Sequence, residues 1–201
     1  MRAGVEEAHK AGRRVAAHAY IGEAINNAIE AGVDSIEHGS FLDSETARRM
    51  AGQGTYLVPT MSVYEAMSEK GEELGSPEYI TRKTAKVLAS TREGLARALE
   101  AGVKVAAGTD CGAPGHPHGT LAQELRLMSE AGARPAGALD AGTRAAADLL
   151  GLAGEVGMLE SGKRADLIAV GGDLLTDIEA LEDVRLVVRG GVEMYDKGAK
   201  T

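Results

Sequence analysis

The stretch AGVDSIEHG, residues 31–39, contains the pattern that decides the fold. An Ala-Gly pair closes a helical-looking segment, and a short extended run follows and ends in histidine. Glycine adopts the left-handed conformation at a helix C-terminus without strain, so Gly32 is a suitable helix end. The same order recurs, with Ala-Gly pairs at 11–12, 51–52 and 101–102 and extended runs at 15–18, 35–38, 56–60 and 103–110.

Helical stretches fill the intervals between these runs, at 21–31, at 44–51 and from Ser76-Pro77 to Ala101. Asp43 or Ser44 is available to cap the second of them. Short apolar runs that alternate with helices are typical of parallel strands joined by right-handed crossovers. The sequence therefore predicts an α/β fold whose parallel strands are buried on both faces.

The pattern changes after Asp110. A loop rich in Gly, Pro and His covers 112–119. A helix is then marked by Leu121, Leu125 and Met128, and two short Ala-rich helices are predicted within 135–151. Extended runs then follow at 165–170, 185–189 and 192–195, the last two joined by Gly190-Gly191, a hairpin signal. We expect two parts, an α/β body over 1–153 and a small β module over 154–201.

The four parallel strands indicate a piece of a barrel. A closed (β/α)8 barrel takes about 250 residues, more than this chain offers. A solenoid repeat is an alternative because three of the Ala-Gly pairs are evenly spaced, but the fourth is much farther along. A doubly wound sheet is another, although no glycine-rich phosphate loop of the GxGxxG or GxxxxGK type is found.

Composition narrows the function classes. The 201 residues carry a net charge of -8, and no basic stretch is interleaved with aromatics, which argues against a nucleic-acid partner. The longest apolar runs are far shorter than the about 20 residues that span a bilayer. With one cysteine, neither a disulfide framework nor a CxxC zinc site is possible. We expect a cytoplasmic protein without a membrane contact.

Three of the four parallel strands end in a residue type that binds metals, namely His18, His38 and Asp110. The carboxyl ends of parallel barrel strands converge on the face that holds active sites, so these side chains are expected to meet. Imidazole and carboxylate are normal ligands of zinc and similar ions, and two His with one carboxylate leave a position open for water. The alternative is that each is a hydrogen-bonded structural residue.

Other polar residues are weaker candidates. Tyr20 and Thr60 lie at strand ends and are either pocket residues or local structural contacts. His116 and His118 are either pocket residues or solvated loop histidines. Cys111 is expected to be a packing residue, and the acidic stretch 177–183 a surface face.

Seven motifs in this order resemble the metal-dependent amidohydrolase superfamily, and within it the prolidase and imidazolonepropionase-like branch. The motifs read VAAHAY, DSIEHG, TYLVPT, VAAGTD, HPHGTLAQEL, TRAAADLLG and GKRADLIAV, and the resemblance covers essentially all of residues 1–196. The resemblance implies a (β/α)8 barrel with a small β-sandwich made from both chain ends, and one or two metal ions, usually zinc. It also implies hydrolysis of C-N bonds in amides or dipeptide-like small molecules.

The resemblance assigns roles to residues. His18 and His38 match the metal-binding histidines of the fifth and sixth barrel strands, and Asp110 matches the aspartate that binds metal and transfers the proton. The family also has an HxH pair on its first strand and a metal-bridging lysine on its fourth, and neither is found before His18. The chain is therefore similar to the second half of the fold, about strands 5 to 8 with the C-terminal sandwich strands.

Three hypotheses follow for this half. In the first, the chain is a metal-dependent hydrolase by family descent. In the second, it is a non-catalytic half barrel that completes a site with an N-terminal half or in a homo-oligomer. In the third, it is a structural remnant without metal. Exposed strand edges favour an oligomer or a partner half.

Overall fold

We describe a computed structural model of the chain over residues 1–113 and 115–199. It is a mixed α/β fold with one parallel and one antiparallel sheet, as the alternation of strands and helices predicts. The helices are α1 (Arg2–Lys10), α2 (Gly22–Ala31), α3 (Ser44–Gln53), α4 (Met61–Lys70), α5 (Glu78–Glu100), α6 (Leu121–Met128), α7 (Arg134–Gly142) and α8 (Arg144–Leu149). The strands are β1 (Ala16–Ile21), β2 (Ser35–Phe41), β3 (Tyr56–Val58), β4 (Leu167–Val170), β5 (Val184–Arg189) and β6 (Val192–Asp196).

The parallel sheet has the order β1-β2-β3, with Ala16 opposite Ser35 and Ser35 opposite Tyr56. The fourth predicted strand, 103–110, is reduced to a bridge between Leu57 and Val105. Its pairing ends early because the amide of Ala107 donates to the carbonyl of Ala141, at the end of α7, and no longer to β3. The third strand stops before Thr60, whose backbone turns into the left-handed region.

Burial differs between the strands of this sheet. β2 and β3 are almost completely buried, as predicted, and Ile36 and Leu57 lie in the main core with α2, α5 and α6. β1 corrects the expectation of burial on both faces, because Ala16, His18 and Ile21 are exposed. The physical reason is that β1 pairs with β2 alone among the described residues, so it forms an edge of the sheet.

Two helix ends test the predicted caps. Asp43 caps α3, accepting a hydrogen bond from the amide of Thr46 at 2.8 Å. The prediction that Gly52 ends this helix is wrong. The helix continues to Gln53, and Gly54 takes the left-handed conformation with φ of 73°.

Helix α4 has no counterpart among the predicted elements. Its first six residues are all buried, so they lack the apolar stripe with one polar face by which amphipathic helices are recognised. It follows β3 after two residues and carries Tyr64 to the ends of the parallel strands.

The C-terminal strands form the predicted antiparallel sheet in the order β4-β5-β6, with the hairpin turn at Gly190-Gly191. All five residues of β6 are exposed. The stretch 177–183 is not merely a surface face, because its 3-10 helix places Ile178 in the main core. Among the described helices, none combines the length and the apolar character that crossing a membrane requires.

Candidate functional site

Backbone strain is concentrated at the carboxyl ends of the parallel segments. His38, Thr60 and Asp110 have positive φ values of 75°, 50° and 50°, and the described residues include one further non-glycine case, Arg134. The left-handed region costs a residue with a side chain about 1–2 kcal/mol. Such strain persists where surrounding packing enforces it, and it occurs preferentially at functional sites. The coincidence of three strained polar residues marks this end of the sheet as the candidate site.

The structure brings His18 and His38 together. Nε2 of His38 lies 2.8 Å from Nδ1 of His18, which is hydrogen-bond distance. They meet because β1 and β2 are parallel neighbours, with His18 opposite Glu37 and Ala19 opposite His38. The expectation that these strands end in histidine is wrong, because β1 continues to Ile21 and β2 to Phe41 past an irregularity in the pairing after Ala19. Tyr20 covers the pair, since its ring stacks on His38 with centroids 4.8 Å apart and meets His18 edge-on at 4.6 Å.

Two hydroxyl groups hold the other ring nitrogen of His38. Nδ1 lies 2.7 Å from Oγ1 of Thr60 and 2.8 Å from Oη of Tyr64. Hydroxyls can donate or accept, so this arrangement is compatible with a proton on Nδ1 that is donated to one of them. The ring would then present the lone pair of Nε2, the form in which a histidine binds a metal.

Electrostatics keep His38 neutral. The side chain is 3% exposed, and burial, followed by the nearby His18, lowers the pKa of His38 to about 4. The charge of Asp110 acts in the opposite direction, so this carboxylate lies within electrostatic range of the ring. Burial also raises the pKa of Glu37, although the hydroxyl of Ser35 donates to it at 2.6 Å. A neutral imidazole is the state that metal coordination requires.

The residue types at this end of the sheet suit a divalent metal, but the set is small. His18 and His38 converge, whereas Asp110 is exposed and has no hydrogen bond to either histidine. Over residues 1–113 and 115–199, no three His, Cys, Asp or Glu side chains are grouped closely enough to hold an ion. The two imidazoles fit a metal in donor type, and a full ligand set needs groups beyond this pair.

The loop histidines differ from each other. His116 is 1% exposed and its Nε2 donates to the carbonyl of Thr109 at 2.9 Å, so it is not a solvated loop residue. This bond ties the loop to the residue before Asp110. His118 is exposed, and its Nδ1 lies 3.0 Å from the thiol of Cys111. In the part of the chain that the structure describes, neither His116 nor His118 forms a hydrogen bond with His18 or His38.

Sequence reasoning missed Tyr64 and Glu124. Tyr64 follows Thr60 by four residues, the spacing of one helical turn, but that signal required α4 to be recognised first. Glu124 is fully buried and accepts hydrogen bonds from the amides of Met61 and Ser62 at 3.0 and 2.7 Å. The sequence around a glutamate on a largely apolar helix does not indicate which other helix its carboxylate will contact.

Two open clefts of about 310 Å³ each lie at the opposite ends of the strands. They share Tyr56, Lys104 and Asp148, and the first includes Asp34, the residue before β2. The clefts therefore open at the amino ends of the strands, away from the histidines. We place the candidate site at the carboxyl ends because the strain, the buried imidazole and its hydroxyl partners coincide there.

Comparison with known proteins agrees with this architecture. Ochratoxinase from Aspergillus niger is 36% identical over 186 residues, which are 91% of this chain and 38% of that protein. An uncharacterized protein of Mycobacterium tuberculosis is 32% identical over 191 residues, 95% of this chain and 50% of that one. A crystal structure of a Xaa-Pro dipeptidase with bound methionine in the active site superposes with a TM-score of 0.87 at 41% identity, covering 97% of this chain and 48% of that one.

The chain spans half or less of the length of these curated relatives. The sequence profile described as "Amidohydrolase family" matches residues 1–194, nearly the whole chain. The match and the relatives agree with the motifs quoted above, so this chain belongs to the amidohydrolase family.

Proposed function

We propose that this chain is the C-terminal half of a metal-dependent hydrolase of C-N bonds in amides or peptide-like small molecules. Residues 1–153 contribute about strands 5 to 8 of a (β/α)8 barrel, and residues 154–201 contribute C-terminal strands of a small β-sandwich. The observation that carries the proposal is the buried, neutral His38, in contact with His18 of the adjacent parallel strand. The family membership supports the same reaction class.

His18, His38 and Asp110 are the proposed metal ligands, and zinc is the ion their types favour. A divalent metal held by these residues would lower the pKa of water from 15.7 to about 7 and so would supply hydroxide at neutral pH. Asp110 accepts the proton of the attacking water and delivers it to the nitrogen as the C-N bond breaks. Oxygen thus adds to the carbonyl carbon, and the proton leaves with the amine.

The substrate class rests on the relatives. One similar structure is a Xaa-Pro dipeptidase and one similar protein is ochratoxinase. We propose a small amide or dipeptide-like molecule for the complete protein, with Tyr20 and Thr60 beside the metal ligands. His116, anchored to Thr109, and the exposed His118 are proposed to line the pocket from the following loop.

The small ligand set favours a second candidate function. Because no three ligand side chains are grouped among residues 1–113 and 115–199, the chain can act as a partner that completes its site with an N-terminal half. The edge of β1 is open to such a partner or to a second copy. Ile21 is 54% exposed there, and Phe41, at the end of β2, is 45% exposed. We therefore expect the isolated chain to self-associate, and a stable monodisperse monomer in analytical ultracentrifugation would contradict that expectation.

Metal binding tests the proposed function. Cobalt, which reports coordination through its visible absorption, is titrated into the chain and into its His18→Asn and His38→Asn variants. We expect weak binding by the parent chain and a loss of about tenfold or more in each variant. His9→Gln is the matched control, because His9 is an exposed histidine that contacts Asp34. Equal affinities in all four proteins would refute the ligand assignment.

Activity separates the two candidate functions. A Xaa-Pro dipeptide is incubated with the chain alone and with the chain combined with the N-terminal half of the similar Xaa-Pro dipeptidase. Hydrolysis by the chain alone supports a self-sufficient enzyme, and hydrolysis only by the combination supports the partner function. Asp110→Asn is expected to abolish either activity while cobalt binding weakens less than in His38→Asn.

A further inference from the structure

Glu124 is the most deeply buried acidic side chain that the proposed reaction leaves without a role. It lies in the first turn of α6 with 0% exposure. Its Oε1 accepts a hydrogen bond from the amide of Met61 at 3.0 Å, and its Oε2 accepts one from the amide of Ser62 at 2.7 Å. One carboxylate therefore holds two consecutive amides of a helix some sixty residues away in the chain.

These two amides are free because the first residues of a helix lack partners within it. A Ser, Thr, Asp or Asn at the N-cap normally supplies the acceptor. Thr60 occupies that position in α4, but its side chain makes no capping hydrogen bond. Its hydroxyl lies against Nδ1 of His38 at 2.7 Å. Glu124 thus provides the acceptor that Thr60 does not supply to its own helix.

The first turn of α4 connects Glu124 to His38. Thr60 directly precedes Met61, and Tyr64 lies one turn further on, with its hydroxyl 2.8 Å from the same Nδ1. Thr60 is strained, with φ of 50°, and such a conformation needs support from its surroundings. A helix start that shifted by a few tenths of an ångström would move both hydroxyls relative to the imidazole.

We propose that Glu124 is a positioning residue for the site. By holding the amides of Met61 and Ser62, it fixes the hydroxyls of Thr60 and Tyr64, and these set the orientation and the protonated nitrogen of His38. The inference rests on the proposed function for its catalytic meaning, but the link from Glu124 to the His38 ring can be tested without metal.

The test compares Glu124→Gln with the parent chain. A carboxamide keeps the size of the side chain but replaces one acceptor oxygen by a donor, so one amide loses its partner. We expect faster hydrogen exchange at Met61 or Ser62. We also expect the ¹⁵N shifts of the His38 ring in the metal-free chain to move toward the average of two exchanging tautomers. Glu130→Gln is the matched control, because Glu130 is a half-exposed carboxylate that contacts Arg126.

The outcomes separate the inference from the proposed function. Unchanged ring shifts of His38 in Glu124→Gln, together with faster exchange at Met61 and Ser62, would show a cap without a positioning role and overturn the inference. Shifts of equal size in Glu130→Gln would overturn it as well. If cobalt binds the parent chain, we expect Glu124→Gln to weaken it about tenfold. If cobalt does not bind, the proposed function fails and the ring shifts still decide the role of Glu124.

Loss of the fold in Glu124→Gln would be detected by circular dichroism. Glu124→Asp is then measured, because it keeps the carboxylate but shortens its reach by one methylene. We expect it to displace the His38 ring shifts in the same direction, and parent-like shifts with weakened protection of Met61 and Ser62 would refute the inference.

Discussion

The two sheets of this molecule differ in what surrounds them. In the parallel sheet, β2 and β3 are almost fully buried, and polar strand-end residues hold left-handed backbone conformations. In the antiparallel sheet all of β6 is exposed, and the positive φ values of its hairpin belong to Gly190 and Gly191. The comparison shows that two strained polar residues of the parallel sheet region, His38 and Thr60, lie where packing encloses them. The antiparallel sheet, with turn glycines and exposed charges, has no such support.

The largest difference between the sheets is expected from removing one isoleucine in each. Ile36 of β2 is 0% exposed, so Ile36→Ala leaves a cavity and should lower the free energy of unfolding by about 2–5 kcal/mol. Ile168 of β4 is 49% exposed, and Ile168→Ala should cost about 1 kcal/mol or less. Urea denaturation of both variants measures the contrast. Equal losses would mean that the antiparallel sheet is covered in solution.

A pair of glycines gives a smaller contrast. Gly39 and Gly190 have φ values of 56° and 58°, so alanine at either site incurs about 1–2 kcal/mol of backbone strain. An added Cβ at Gly39 would lie 2.5 Å from Cδ1 of the buried Leu57, whereas at Gly190 it meets no atom within 4 Å. Gly39→Ala should therefore cost about 1–3 kcal/mol more than Gly190→Ala in the same assay. Similar values would indicate that Leu57 moves aside freely.

The pH dependence of stability should originate in the parallel half. The folded-state pKa of His38 is about 4, below its ordinary value of 6.5, so the unfolded chain binds more protons between these values. His38 therefore makes the free energy of unfolding rise as pH increases from about 4 to about 6.5.

Glu124 acts in the opposite direction. Burial raises its pKa from 4.5 to about 7, so its contribution to stability falls as pH rises through that interval. Urea denaturation of His38→Gln and Glu124→Gln across pH 4–7.5 separates the two groups. The difference between the parent and His38→Gln should shrink as pH falls below about 6.5, and parallel curves would contradict the lowered pKa of His38.

The smallest effect is expected at an exposed ion pair beside the antiparallel sheet. Lys197 donates to Asp183 at 2.6 Å, but both side chains are solvated, so Lys197→Ala should leave the denaturation midpoint unchanged within error. Arg126→Met removes the comparable ion pair in the α/β part of the chain, where Arg126 donates at 2.6 Å to Glu65, whose side chain is 11% exposed. That variant should lose about 1 kcal/mol. A larger loss for Lys197→Ala would show that salt bridges organise the C-terminal sheet.

Local patterns were sufficient to predict much of the fold. Short apolar runs between helices predicted β1, β2 and β3, and Gly190-Gly191 predicted the last hairpin. Helix α3 ends at Gly54 and not at the expected Gly52, because either glycine satisfies the local preference for a left-handed helix end. Helix α4 escaped prediction because burial on all sides removed its periodic pattern.

For the site, the sequence by itself determined which residue types stand at the strand ends, and the ordered motifs determined the family. Only the tertiary structure decided that the rings of His18 and His38 touch and that Thr60 and Tyr64 share one nitrogen of His38. It alone placed Glu124 against the start of α4. The physical reason is that strand and helix patterns reflect neighbours along the chain, whereas these hydrogen bonds join residues from distant elements whose packing no local preference encodes.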